Sequence, residues 1–208
     1  MKPVLLLVHG WGFDASFWDP LRERFDANET IAWDLGFFGP PAQPAVPPGR
    51  PVVAVGHSFG LLWLLHHRLV AWRALVSING FACFARRETF PEGRAPRPLH
   101  RMIARLDQAP AQVVAEFVQR CGATAPPSAT PDLARLAEGL EALAQWDERP
   151  ASVAAALCGA ADILLAPEMS RASFPPDRLH WHAGGHLLPR EDPDWCAPHL
   201  RRVLAQVA

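Results

Sequence analysis

Ser58 stands at the centre of Gly56-His57-Ser58-Phe59-Gly60, between Pro51-Val52-Val53-Ala54-Val55 and Leu61-Leu62-Trp63-Leu64-Leu65. If the first apolar run is a buried strand and the second a helix, this G-x-S-x-G forms a sharp strand-to-helix turn. Its glycines let the chain reverse tightly, and the serine is held in a strained conformation with its hydroxyl above the sheet. Such a hydroxyl becomes a nucleophile when a base removes its proton, and the base needs an acid to hold its tautomer. With this turn the expected chain order is serine, acid, histidine. Asp162, in Leu157-Cys158-Gly159-Ala160-Ala161-Asp162, and His186, in Ala183-Gly184-Gly185-His186, each follow an expected strand and fit the acid and base roles. Plainer roles also exist for the three: a buried structural serine, a helix N-cap and a turn histidine. Asp34, after a shorter strand, is the alternative acid. The oxyanion formed on attack needs two fixed donors. The backbone N–H of Phe59 offers one and that of Trp11, in His9-Gly10-Trp11-Gly12, the other, with the Trp11 ring lining the pocket.

These residues require a sheet whose strands end together. Strands are expected at Val4 to Val8, Thr30 to Trp33, Val52 to Val55, Ala74 to Ile78, Val153 to Leu157 and Leu179 to His182. Helical stretches lie between them, among them Phe17 to Phe25 and the run after Ser58. This alternation predicts an α/β fold with a mostly parallel sheet and right-handed crossovers. From about 81 to 149 the alternation stops. Helix-like stretches at Leu99 to Leu106, Gln112 to Arg120 and Leu133 to Trp146, broken by Pro126-Pro127 and Pro131, predict a helical cap over the carboxyl ends of the strands, within one domain spanning 1–208.

Composition excludes several alternatives. The chain has 208 residues, 50% of them hydrophobic, and a formal charge of -1 from 20 Lys plus Arg against 21 Asp plus Glu. Nothing global points to nucleic acid or an anionic membrane. Cys83, Cys121, Cys158 and Cys196 form no C-x-x-C and read as free thiols of a reducing compartment. Met1-Lys2-Pro3 reaches His9-Gly10 after five apolar residues, too few for a signal peptide's core, so a cytoplasmic location is expected. His180, His182 and His186 could suggest a metal site, but no carboxylate or cysteine completes a ligand set, and neither metal nor cofactor is expected. His57, His66 and His67 read as packing or helix-surface residues.

The chain resembles the α/β-hydrolase superfamily over nearly its whole length, and within it the pimeloyl-ACP methyl ester carboxylesterases of biotin synthesis. The resemblance rests on His9-Gly10-Trp11-Gly12, the Ser58 elbow, Cys83-Phe84-Ala85-Arg86-Arg87-Glu88-Thr89-Phe90-Pro91, Gly139-Leu140-Glu141-Ala142-Leu143 with Asp147, and the Asp162 and His186 segments. It implies hydrolysis of the methyl ester of a pimeloyl chain on acyl carrier protein, releasing methanol, with Trp11, Phe59 and Phe117 lining the acyl channel. The sequence departs from the family pattern by starting at the strand before His9, by a short cap around Gly122 to Pro131 and by Leu61 after the elbow. It also has Gln112 and Glu116 at cap-helix positions where arginines meet the acidic carrier in the better-known family member. Arg97, Arg101 and Arg105, four residues apart, would share one helix face and could supply a replacement basic surface for the carrier. A small-ester or thioester hydrolase of the same fold, and a non-catalytic binding protein of that fold, are the competing readings. A monomer is expected.

Overall fold

A computed structural model describes residues 1–208, the side chain of Asn28 excepted. Val4–Val8 (β1) is buried at every position, as an aliphatic run must be when both faces of a strand are covered. It pairs with Thr30–Trp33 (β2) on one side and Val52–His57 (β3) on the other; Ala74–Ile78 (β4), Ala155–Gly159 (β5) and Leu179–His182 (β6) extend the sheet. The order is β2-β1-β3-β4-β5-β6 and every pair is parallel.

Two consequences of this topology position the site. The chain moves outward from β1 to β2, then crosses back to β3, so the direction of winding switches between β1 and β3, where a parallel sheet opens a crevice at its carboxyl edge. The register also brings the strand ends level: Val8 lies opposite Gly56, His57 opposite Ile78, Ile78 opposite Leu157 and Gly159 opposite His182. The segments after β1, β3, β4, β5 and β6 therefore emerge along one edge.

Phe59–His67 (α2) starts directly after Ser58 and buries Phe59, Gly60, Leu61, Leu62, Leu64 and Leu65. A β-carbon on Gly60 would overlap the carbonyl oxygens of Val8 and His9, so the helix touches the end of β1 backbone to backbone. Gly60→Ala is accordingly expected to cost about 2 kcal/mol or more, because it pushes on strand backbone that cannot yield as a side chain could. A denaturant titration reads this, and an unchanged midpoint would contradict the close approach. Farther along, Pro193–Val207 (α8) presents Cys196, Ala197, Leu200, Val203 and Leu204 to the sheet at helical spacing.

Two expectations from the sequence need correction. The helix expected at Phe17 to Phe25 is a 3-10 turn, Ala15–Trp18, followed by one turn of α-helix, Asp19–Arg22 (α1). Pro20 has no N–H to bond back, so the first turn cannot run on as α-helix through it. The strand expected at Val153 to Leu157 starts two residues later. Its place is set by pairing of Ala155 with Val76 and of Leu157 with Ile78, which a run of alanines does not encode.

Between β4 and β5 the chain forms Arg97–Leu106 (α3), Pro110–Arg120 (α4) and Leu133–Gln145 (α5). The α5 helix buries Leu136, Gly139, Leu140 and Leu143 on one stripe. The segment is tied to the body at both ends, by Asp132 N–H to the Phe37 carbonyl at 2.8 Å and Glu148 N–H to the Ala82 carbonyl at 2.8 Å. Pro167–Ser173 (α6) and Leu188–Glu191 (α7) complete the helices. Among the described residues no helix is long and apolar enough to cross a membrane.

Candidate active site

The backbone of Ser58 lies at φ 52 and ψ -123, a conformation that non-glycine residues rarely adopt. Its N–H donates to the Ile78 carbonyl at 3.2 Å, which pins the turn to the end of β4. The β3-α2 junction thus holds the strain while glycine on either side permits the reversal.

His186 and Asp162 arrive from the neighbouring strand ends. His186 Nε2 is 3.1 Å from Ser58 Oγ, and His186 Nδ1 is 2.7 Å from Asp162 Oδ2. Asp162 Oδ1 accepts the N–H groups of Leu164 and Leu165 at 2.8 and 3.0 Å, so the carboxylate cannot rotate without losing both. As Asp162 can only accept when ionised, Nδ1 carries the hydrogen and the Nε2 lone pair faces the serine. All three residues are buried, Ser58 at 7%, Asp162 at 6% and His186 at 2% exposure. The structure therefore brings together the three side chains singled out in the sequence.

Two neighbours that the sequence reading assigned no role in the site also touch it. His57 is completely buried and stacks on Phe17 with ring centroids 4.3 Å apart, while its Nε2 hydrogen-bonds to the His186 carbonyl at 3.0 Å. Burial, reinforced by the adjacent His186, lowers the His57 pKa well below the ordinary histidine value, so it is a neutral donor. Asn79 follows β4 directly, at φ 44, and reaches Gly159, Gly185 and His186 with its side chain. A polar residue followed by glycine at the end of a buried strand was the available signal for it.

The loop after β1 lies against the elbow: a β-carbon on Gly10 would come within 3.1 Å of Ser58 Cβ. Among the described residues, the backbone N–H groups of Trp11 and Phe59 donate to no other group of the chain. The Trp11 ring is buried, donates Nε1–H to the Leu136 carbonyl of α5 at 2.8 Å and meets Phe117 edge-on at 4.8 Å. A cavity of about 310 Å³ between α2 and α5 is lined by Phe37, Phe59, Trp63, Gly139 and Trp146, among others. Of the three expected channel residues only Phe59 lines it. Trp11 forms an aromatic pair with Phe117 of α4 and a hydrogen bond with the Leu136 carbonyl of α5.

The remaining candidates are engaged elsewhere. Asp34 accepts the N–H groups of Ala15 at 2.9 Å and Gly36 at 2.8 Å, the bonds of a turn-closing carboxylate. His180 packs on His199, and His182 lies 3.2 Å from Asp192. His66 stacks on Trp146 with centroids 3.6 Å apart. Arg97, Arg101 and Arg105 are all exposed on α3, but Arg105 makes two bonds to Glu116 of α4, at 2.8 and 2.9 Å, and Gln112 donates to the same carboxylate at 2.8 Å. The four cysteines are free and buried; burial pushes the Cys158 thiol up to about 11 and Cys196 to about 12, which makes them poor nucleophiles.

No protein-family model matches the chain. It is similar to a pimeloyl-[acyl-carrier protein] methyl ester esterase of Xylella fastidiosa (strain M23), 29% identical over an alignment of 180 positions, with 73% of this chain and 71% of that protein covered. Among solved structures, an esterase from Exiguobacterium antarcticum superposes with TM-score 0.79 at 15% identity, covering 98% of this chain and 92% of that one. BioG from Haemophilus influenzae superposes with TM-score 0.67 at 18% identity, covering 94% of each chain. The six-stranded parallel sheet and these likenesses show the α/β-hydrolase fold.

Proposed function

We propose that the chain is a serine carboxylic ester hydrolase that cleaves the methyl ester of a pimeloyl chain carried on acyl carrier protein. The observation that carries the catalytic part is the unbroken line of hydrogen bonds from Ser58 Oγ through His186 to Asp162, at 3.1 and 2.7 Å. Ser58 attacks the ester carbonyl and its proton passes to His186 Nε2. The developing oxyanion is met by the N–H groups of Phe59 and Trp11, donors fixed in place before reaction. The tetrahedral intermediate collapses as His186 returns the proton to the leaving alkoxide, releasing methanol. Water then attacks the acyl-enzyme with His186 again as base, regenerating Ser58 and freeing the carboxylate. No cofactor enters. The α3 to α5 segment serves as the cap of one domain and closes over the acyl chain, and the enzyme works as a cytoplasmic monomer.

Support for the substrate comes from the 29% identical Xylella fastidiosa esterase. The pair of hydrogen bonds that Arg105 donates to Glu116 favours a second reading, a small-ester hydrolase without a carrier, because it removes one cation from the basic face of α3. Arg97 and Arg101 would then have to carry the docking.

The two readings differ in a measurable way. Reversing Arg97 and Arg101 to Glu, with Arg105 left in its pair, should raise the apparent KM for a carrier-bound pimeloyl methyl ester about three- to thirtyfold. Hydrolysis of a short soluble ester should stay within about twofold, and added salt should shrink the difference by screening. If the carrier-bound ester is hydrolysed no better than the short one by the parent, or both respond equally to the charge reversal, the small-ester reading is the better one.

A further inference from the structure

The end of β4 touches the backbone around all three members of the Ser58, His186 and Asp162 line. Ile78 accepts the Ser58 N–H at 3.2 Å, and the next residue, Asn79, does the rest. Its backbone N–H donates to the Leu157 carbonyl at 2.8 Å. Its side-chain Oδ1 accepts the Gly159 N–H at 2.7 Å, and its Nδ2 donates to the carbonyls of Gly185 and His186, both at 2.9 Å. One amide group thus uses both donors and its acceptor on the two segments that present the acid and the base.

These segments also press on each other. A β-carbon on Gly159 would overlap the Gly185 carbonyl, and Ala160 and Ala161 donate to the carbonyls of His182 and Gly184 at 2.7 and 3.0 Å. The His186 carbonyl is held twice, by Asn79 and by His57 Nε2 at 3.0 Å. Asn79 is 3% exposed, and its φ of 44 is one that asparagine tolerates better than most residues.

Resting on the reading of Ser58, His186 and Asp162 as a catalytic triad, we propose that Asn79 is a positioning residue for hydrolysis. It clamps the Asp162 and His186 segments to β4 and so sets the ring of His186 between Asp162 and Ser58. It touches neither substrate nor reacting atoms. Its effect is therefore on turnover, since a base displaced by a fraction of an ångström binds ester as before but accepts the serine proton poorly.

Two variants test this. Asn79→Asp keeps the shape and the acceptor for Gly159 but has no donors for the two carbonyls; Asn79→Gly accepts the positive φ and removes the side chain. With a short soluble ester, both should lower kcat roughly 10- to 100-fold with KM within about threefold of the parent. The low-field proton resonance of the His186 Nδ1–H···Asp162 bond should broaden or move, although the variants still melt cooperatively. Parent-like kcat in Asn79→Asp, a loss confined to KM, or an unmoved His186 resonance would overturn the proposal. If neither variant folds, Asn79 is a folding residue and the positioning role is rejected. Ser58→Ala, measured alongside, separates the two layers: an active Ser58→Ala enzyme defeats the triad reading, whereas an inactive one beside parent-like Asn79 variants defeats only the clamp.

Discussion

Replacing Ser58 by alanine is expected to lower kcat for every ester tested by between about 10⁴- and 10⁶-fold while leaving the fold intact. The change deletes a single oxygen, whose hydrogen bond is to His186 at 3.1 Å, and leaves the strained backbone to the surrounding glycines and the bond to Ile78. Acylation then has no nucleophile, and only substrate binding and the two proposed oxyanion donors remain to assist attack by water. Turnover of purified Ser58→Ala protein, with intact-mass analysis of both proteins after fluorophosphonate treatment, provides the check. The parent should gain one adduct on Ser58 and the variant none. Activity within about tenfold of the parent would remove Ser58 from the mechanism and favour a different nucleophile or a binding role.

The second large effect is expected from Asp162→Asn, and its direction follows from the neighbours of the carboxylate. Oδ1 accepts the Leu164 and Leu165 N–H groups, so an asparagine must keep its oxygen there and turn its NH₂ toward His186. That group can only donate, so Nδ1 of His186 must become the acceptor and the ring hydrogen moves to Nε2. Nε2 then faces Ser58 as a donor and cannot take its proton. Turnover should fall about 10⁴-fold with KM little changed, since the ester never touches Asp162. Asp34→Asn, by contrast, should lose some stability and little activity, because Asp34 binds turn amides. A kinetic comparison of the two variants settles the acid: loss in Asp34→Asn with normal turnover in Asp162→Asn would transfer the role.

Much of this molecule could be read from local sequence. Val4 to Val8, Thr30 to Trp33, Ala74 to Ile78 and Leu179 to His182 coincide with strands because each is short, apolar or alternating, and bounded by breakers. The helices of residues 97–145 begin and end within two residues of expectation because their apolar positions recur at helical spacing. The segments bearing Ser58, Asp162 and His186 were legible for a related reason: each is a glycine-containing stretch at a strand end, so strand assignment and turn chemistry point to the same residues. The parallel α/β class followed from the alternation of these elements.

What tertiary structure alone decided concerns long-range partners. The start of β5 depends on its register with β4, which Ala154-Ala155-Ala156 cannot specify by itself. Nothing near Asn79 in the chain announces Gly159, Gly185 and His186, residues 80 or more positions away. Trp11 and Phe117 were expected to line the acyl channel, but that the Trp11 indole would donate to the Leu136 carbonyl of α5 and meet the Phe117 ring edge-on is not announced by residues near either. Arg105 was expected on a free basic face, but the approach of α4 places Glu116 against it. Periodicity and turn chemistry are properties of neighbouring residues and survive in sequence; register, clamps and charge pairing arise only when distant segments are brought into contact by packing of the core.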